Sequence, residues 1–153
     1  MTKQTFRFEP LLDWAEQREE QETRALAAVA SEEEAARLAL EALERERESE
    51  WSQFAGRNAP FDAEAYRAAV AYVQLLSERI QAQQAVLAEV RARVAVARDA
   101  LLETLKEKQS FEHLRDRDAA EAAREEGRRE AGRQDDLNMT RHVRRSAADR
   151  GAA

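Results

Sequence analysis

The chain contains no cysteine, and it is poor in the residues that break helices or fill compact cores. Its 153 residues include four glycines, two prolines, two tryptophans, two tyrosines and five phenylalanines. The absence of cysteine excludes disulfides and thiolate metal sites, and it fits a reducing compartment. With so few breakers and rings, the composition is typical of long helices or a coiled coil rather than of a globular domain.

Long apolar runs and a basic surplus are also missing. Charged residues make up 37% of the chain, and no run approaches the ~18 apolar residues of a membrane span. Up to residue 56 there are 7 basic and 14 acidic side chains, whereas nucleic-acid binding requires a basic patch. We therefore expect a cytoplasmic protein that neither inserts directly into a membrane nor binds nucleic acid.

Two helical segments and a loop are predicted. The first helix covers about residues 9–54, with Pro10 in its first turn, where the missing N–H would be unpaired anyway. A loop follows at 55–61, then a second helix at about 62–126 and a less ordered tail at about 127–153. Gly127 and Gly132 each cost roughly 1 kcal/mol inside a helix. The segment after about residue 110 either forms an exposed single helix that frays or becomes ordered inside a partner.

The second segment carries a regular seven-residue repeat. Its first seam position is filled by Tyr66, Val73, Ile80, Leu87, Val94 and Leu101. An apolar repeat of seven keeps one face toward a partner helix and predicts a left-handed coiled coil. The first segment has a weaker seam, because Glu19, Glu22, Glu33 and Arg47 interrupt its apolar residues.

The stretch WSQFAGRNAPFDAEAY, residues 51–66, reads as a hairpin tip. Gly56 can adopt the left-handed conformation that ends a helix, and Pro60 stops the helix from continuing. Asp62 suits the N-cap of the second helix, where Phe61 and Tyr66 can form a hydrophobic staple.

A short connection makes the two helices antiparallel. The sequence thus predicts an all-α fold: a single monomeric domain over residues 1–153, built as a long two-helix coiled-coil hairpin whose second helix overhangs at the C-terminal end. Folding about the loop should place Trp51 opposite Tyr66 and Phe8 near Gln109.

Catalytic chemistry is not indicated. The two histidines, His113 and His142, both lie in the overhang, so no histidine-based metal cluster or triad is credible. No glycine-rich phosphate loop is present, and the many glutamates lie on solvated faces without a dry pocket. We expect no enzymatic activity, no cofactor and no metal.

One row of residues beside the seam points to an external partner. Aromatic residues cluster near the predicted tip and at the open end, and Tyr72 lies outside the first seam position. Tyr72, Leu76, Arg79 and Gln83 are spaced by four, three and four residues, so they share a helical face. We expect this row to flank the seam and to face outward.

Four motifs in order resemble the FliJ family of flagellar export proteins: FRFEPLLDWAEQREEQETRAL, AYRAAVAYVQLLSERIQAQQ, ALLETLKEKQSFEHLRDR and RQDDLNMTRH. They span nearly the whole chain. The late acidic QDDLN resembles the acidic signature that this family carries near its C-terminus.

This resemblance implies a stalk-like coiled coil whose open end enters the hexameric flagellar export ATPase and promotes its assembly and activity. It implies further partners: the regulator of that ATPase, the membrane export gate protein, and export substrate chaperones that the stalk escorts or recycles. The expected place is the cytoplasm, peripherally on the inner membrane at the flagellar base, with a role in motility and chemotaxis.

The resemblance also suggests contact residues. The row Tyr72, Leu76, Arg79 and Gln83 would bind the export gate, with the first two matching the family. The open end would bind the ATPase through Phe8, Leu11, Leu12, Phe111, Leu114 and Arg115.

Two alternatives stay open from the sequence. The chain could be the equivalent stalk of a virulence type III secretion system. It could also be a generic coiled-coil scaffold in which the second helix pairs between chains.

Overall fold

The computed structural model describes residues 6–151, and side chains for residues 6–147. It contains two helices, α1 over Glu9–Ala55 and α2 over Ala63–Gly151. The residues from 6 to 151 include no strand, and the predicted all-α class is confirmed.

The chain divides into two compact units. The first consists of residues 1–14 together with 107–153, and the second of residues 15–106. The second unit, called the hairpin unit below, is the antiparallel pair that the sequence predicts. The expectation of one hairpin domain over residues 1–153 stays a prediction beyond residues 15–106.

Side chains of α2 contact α1 along the whole hairpin unit. Near the tip, the Tyr72 hydroxyl donates to the Glu46 carboxylate, and at the other end the Thr104 hydroxyl donates to Glu22 Oε2 at 2.6 Å. Between them lie three further contacts: Gln83 with Ala36, Arg91 with Glu33 and Arg93 with Glu32. Rising numbers on α2 meet falling numbers on α1, so the helices are antiparallel.

The heptad positions of α2 form most of its contact face. Ile80, Leu87 and Val94 are buried, while Val73 and Leu101 are half-buried. Burying each such side chain contributes roughly 1.5–3 kcal/mol to folding. The second seam position adds buried residues at Ala69, Leu76, Val90 and Thr104.

Tyr66, the first member of the predicted seam, is exposed rather than buried. It lies one turn into α2, where its ring contacts the rings of Phe54 and Phe61 at centroid distances of 5.6 and 5.9 Å. These rings belong to the tip, which lies beyond the seam proper.

The seam of α1 is more continuous than the sequence suggests. The residues of this seam follow alternating spacings of three and four, and each is buried or half-buried although five are charged. They are Leu12, Ala15, Glu19, Glu22, Leu26, Val29, Glu33, Ala36, Leu40, Leu43, Arg47, Glu50 and Phe54. The charged members do not interrupt the contact, because α2 supplies polar partners to Glu22 and Glu33.

The tip follows the predicted capping pattern in α2. Asp62 Oδ1 accepts hydrogen bonds from the backbone N–H groups of Glu64 and Ala65, at 2.9 and 3.3 Å. The 5.9 Å approach of Phe61 and Tyr66 completes the predicted hydrophobic staple.

Two expectations about the tip are wrong. No residue in the described part of the chain has a positive φ, so Gly56 ends α1 without a left-handed conformation. Its N–H instead donates to the Ser52 carbonyl at 2.9 Å. Phe54, rather than Trp51, meets Tyr66, and the Trp51 ring lies 6.3 Å from Phe54.

Away from the tip, partners in α1 lie nearer to the tip than simple folding about the loop predicts. Folding about residue 58 would place Thr104 beside Asp13, but its hydroxyl reaches Glu22. Helical side chains lean toward the N-terminus of their own helix, and in an antiparallel pair the two leans are opposite. This lean accounts for the direction of the displacement.

The second helix does not end near residue 126, as the sequence suggested, but at Gly151. Gly127 and Gly132 both lie inside it. Their cost is offset by the surrounding alanine, glutamate and arginine residues, which are strong helix formers, and by charge pairs such as Arg129–Glu125 at 3.7 Å. The last part of the predicted tail, residues 152–153, lies outside the described residues.

Candidate functional site

The proposed gate row divides into two inward and two outward members. Leu76 is 0% exposed, and the Gln83 side-chain amide donates to the Ala36 carbonyl at 3.0 Å. The expectation that these two residues face outward is therefore wrong. Both occupy the second seam position, four residues before and three residues after Ile80, and that spacing turns them toward α1.

Tyr72 and Arg79 remain on the outer side of α2. Tyr72 is half-buried, and its hydroxyl is bonded to Glu46. That hydrogen bond to a carboxylate favours the protonated phenol and raises the pKa of Tyr72 above its ordinary value of 10.0. Arg79 is exposed, and its positive charge acts on Tyr72 in the opposite direction, lowering that pKa.

Three other apolar residues of α2 lie on its outer face, where the sequence had placed Leu76 and Gln83. Leu75 and Val86 are 42% and 46% exposed, and Ala82 is also exposed. Together with Tyr72 and Arg79 they follow spacings of three and four residues, so they form the true outer row of this face. The sequence carried a signal for this row. The seven-residue repeat puts Leu76 at the second seam position, three residues after Val73, and Leu75 then falls outside the seam.

The unit of residues 1–14 and 107–153 holds the residues suggested for ATPase binding. Phe8 is half-buried, with its ring 5.7 Å from Phe6 and with the Arg7 guanidinium 5.5 Å from its centroid. Leu11 is exposed, whereas Leu12 is only 2% exposed. Leu12 is thus a packing residue and is not available for direct contact with a partner.

The same unit contains the suggested residues of α2. Phe111 and Leu114 are half-buried, and Arg115 is exposed beside Asp116, with an Arg Nε to Asp Oδ1 distance of 3.8 Å. Further along, every side chain from residue 123 to residue 145 is exposed. This surface includes Leu137, Met139 and Val143. The glycines at 127 and 132 suggested an earlier end of α2, whereas the alanine, glutamate and arginine residues around them favour a helix.

Charge pairs along the two helices are solvated. Arg37 bonds both Glu34 and Glu41, and this lowers the pKa of Glu34 and raises that of Arg37. In α2, the Glu103 carboxylate raises the pKa of Lys106. All of these side chains are exposed or half-buried, and such pairs contribute little to stability.

Within the described residues, no group of three or more histidine, aspartate or glutamate side chains is placed to hold a metal ion. Over the same residues, no helix is long and apolar enough to cross a bilayer. No described buried side-chain nitrogen or oxygen lacks a hydrogen-bond partner.

These features define an all-α protein of the coiled-coil class, with a heptad-built hairpin and long exposed helical surfaces. The family model described as Flagellar FliJ protein matches residues 3–147, nearly the whole chain. The chain therefore belongs to the FliJ family, and its family is a non-enzymatic component of flagellar protein export. Comparison with curated proteins and with solved structures gave no match.

Proposed function

We propose that this chain is a non-enzymatic, stalk-like component of the flagellar export apparatus. Its open end enters the hexameric export ATPase, promotes ring assembly and raises ATP hydrolysis. The hairpin unit couples that ATPase to the membrane export gate, and the chain also escorts or recycles export chaperones. Family membership supports this proposal, and the flagellar description of the family favours it over a virulence secretion system.

The observation that carries the proposal is the exposed helical surface of α2. Side chains 123–145 are all exposed, and a helix with no packed face has little to stabilise it beyond local charge pairs. Enclosure by a partner would bury Leu137, Met139 and Val143, which are otherwise exposed. The pore of a ring-shaped ATPase is an enclosure of this kind.

The exposed fractions of the side chains reduce the set of residues that we propose to contact the ATPase directly. Leu11 and Arg115 are exposed and can meet a partner directly. Phe8, Phe111 and Leu114 are half-buried and can contribute part of their surface, while Leu12 supports them from within. For the gate, the proposed contacts are Tyr72 and Arg79, joined by Leu75 in place of Leu76.

We place the protein in the cytoplasm, associated peripherally with the inner membrane at the flagellar base. There it would act as a monomeric hairpin that meets the ATPase, the ATPase regulator, the export gate and substrate chaperones. This assignment rests on family membership together with the exposed faces described above.

The first experiment measures ATP hydrolysis and ring formation by the cognate export ATPase, with and without this protein. The unmodified chain should raise both, while Leu11→Asp and Arg115→Glu should reduce the stimulation about tenfold, a loss of roughly 1.4 kcal/mol in coupling. Leu102→Asp is the matched control, because Leu102 is also an exposed leucine but lies in the hairpin unit.

Circular dichroism would show that all variants stay helical. Unchanged hydrolysis at saturating concentrations of the unmodified chain would contradict the proposal. Equal stimulation by all the variants would instead reject the assigned contact residues.

A further inference from the structure

The seam of the hairpin unit changes in composition with distance from the tip. Its seam positions farthest from the tip are Ala15, Glu19 and Glu22 on α1 and Ala97, Leu101 and Thr104 on α2. Leu101 is the one large apolar residue among these six. We call residues 15–22 and 97–104 the polar segment. The contact between Thr104 and Glu22 shows that its two halves lie side by side.

The neighbouring part of the seam, residues 26–43 and 76–94, is called the apolar segment. Leucine, isoleucine or valine fills nine of its twelve seam positions: Leu26, Val29, Leu40, Leu43, Leu76, Ile80, Leu87, Val90 and Val94. All five of these residues on α2 are buried, whereas Ala97 and Leu101 in the polar segment are half-buried. Because apolar burial is the main force that holds two helices together, the polar segment has less of this stabilisation.

Hydrogen bonds take the place of apolar contacts in the polar segment. The Thr104 hydroxyl donates to Glu22 Oε2 at 2.6 Å, and the Arg18 guanidinium donates to Glu22 Oε1 at 3.0 Å. The side chains of Arg18 and Glu22 are 34% and 20% exposed, so water reaches both. Ion pairs that water reaches contribute little, and desolvating a carboxylate has a cost of its own. These bonds can therefore be exchanged for bonds to water at a small cost in free energy.

The polar segment is not a helix end. The first helix already begins at Glu9, and the second continues to Gly151. Each helix has its own backbone hydrogen bonds, so the seam side chains can separate here while both backbones stay helical. Local openings of this kind need less free energy than the cooperative unfolding of a whole unit.

We propose that the polar segment opens and closes by itself while the apolar segment stays packed, with the Thr104–Glu22 bond as its closing contact. Opening uncovers Ala15, which is 0% exposed in the closed form, and fully exposes the half-buried Leu101. The hairpin unit thus combines a firmly packed region with a built-in site of local opening. This opening is a property of the hairpin unit alone, independent of any export ATPase or gate protein.

The rate of cysteine labelling measures this opening, because the chain has no cysteine of its own. Ala15→Cys reports on the polar segment, and Ala36→Cys, at a residue that is 8% exposed, reports on the apolar segment. The rate of each variant with a thiol reagent is divided by its rate when unfolded in urea.

Static burial and local opening predict opposite orders of labelling. Ala15 is the more buried of the two residues, so a seam without local opening would label more slowly at Ala15→Cys. Local opening predicts labelling about tenfold faster, or more, at Ala15→Cys than at Ala36→Cys. Equal rates, or slower labelling at Ala15→Cys, would overturn the inference.

Low concentrations of urea separate local opening from global unfolding. Local opening exposes little surface, so the rate at Ala15→Cys should rise weakly with urea, while the rate at Ala36→Cys should rise steeply. The same urea dependence at both sites would mean that they open together, and the inference would be wrong.

Making the polar segment apolar should keep it closed. In the Ala15→Cys chain, Glu22→Leu together with Thr104→Val replaces the hydrogen bonds by apolar contact and should slow labelling by about tenfold or more. Glu20→Leu together with Thr23→Val is the matched control, because it replaces the same residue types at exposed positions of α1. The control should stay within about twofold.

Circular dichroism would show that these variants remain helical. If the chain with Glu22→Leu and Thr104→Val labels as fast as its Ala15→Cys parent, the polar seam residues do not control the opening, and the inference fails.

Discussion

Individual polar residues set the register of the hairpin unit. Thr104 is 0% exposed, and its hydroxyl donates to Glu22, which also accepts from Arg18 at 3.0 Å. Sliding the helices by one heptad would separate Thr104 from Glu22 and leave a buried hydroxyl without its acceptor, at a cost of about 1–3 kcal/mol. A purely apolar seam has no such penalty, so polar residues in a seam specify alignment at some cost in stability.

Tyr72 offers a direct test at this scale. Its pKa is raised above 10.0 by the hydrogen bond to Glu46, so the contact stabilises the fold at pH values below the ordinary tyrosine pKa. That contribution is lost as the pH rises through the raised pKa of the folded state. In a Tyr66→Phe background, Tyr72 is the remaining tyrosine. Ultraviolet absorbance should then show that the Tyr72 phenol ionises at a pH above its ordinary pKa.

Substituting Glu46→Gln in that background supplies the control. The neutral amide removes the carboxylate that favours the protonated phenol, so the Tyr72 pKa should fall toward its ordinary value. An identical titration with and without the carboxylate would show that the Tyr72–Glu46 bond is not formed in solution.

At the scale of the helices, the sequence predicted what depends on period and capping. The seven-residue repeat of α2 predicts Ile80, Leu87 and Val94, which are buried. Asp62 is predicted as the N-cap, and its Oδ1 accepts the hydrogen bonds of that cap. Such features depend on neighbours within one helix, and these are visible in the sequence.

Features that depend on the partner helix were harder to predict. The charged residues of the α1 seam looked like an interruption because their partners lie far away in the chain. Arg91 donates a hydrogen bond to Glu33, and Thr104 donates one to Glu22. The row through Leu76 failed for another reason: spacings of three and four fit both the seam and the face beside it. Burial places Leu76 in the seam and Leu75 outside it, in agreement with the seven-residue repeat of α2.

The contribution of the α2 seam can be measured by a matched pair of leucine substitutions. Leu87→Asp places a carboxylate in the buried seam and should lower the free energy of unfolding by about 4 kcal/mol, from lost packing and an unpaired charge. Leu102→Asp, at a leucine that is 53% exposed, should change it by less than about 0.5 kcal/mol. Thermal melts followed by circular dichroism compare the two, and equal melts would place Leu87 outside the seam.

At the scale of the whole molecule, the two helices have different roles: α1 pairs with α2, and α2 also carries a long exposed surface. Acidic residues of α1 pair with arginines that flank the seam of α2, as in the Arg93–Glu32 and Arg91–Glu33 pairs. Beyond residue 122, α2 presents side chains that are exposed up to residue 145. The two helices therefore provide both an antiparallel pair and a long exposed helical surface, and the proposed function uses both features.

That division of labour depends on α2 pairing with α1 of its own chain, not with another molecule. Ala25 and Ala100 are exposed and lie one heptad beyond the Glu32–Arg93 pair, on the same side of the hairpin unit. Because the chain has no cysteine, Ala25→Cys and Ala100→Cys introduce unique sites for spin labels. With helix axes about 8–10 Å apart, the doubly labelled chain should give one short distance by pulsed electron resonance.

Diluting the doubly labelled chain with excess unlabelled chain should leave that distance and its amplitude unchanged. A signal that disappears on dilution would mean that the helices pair between chains, which is the scaffold arrangement.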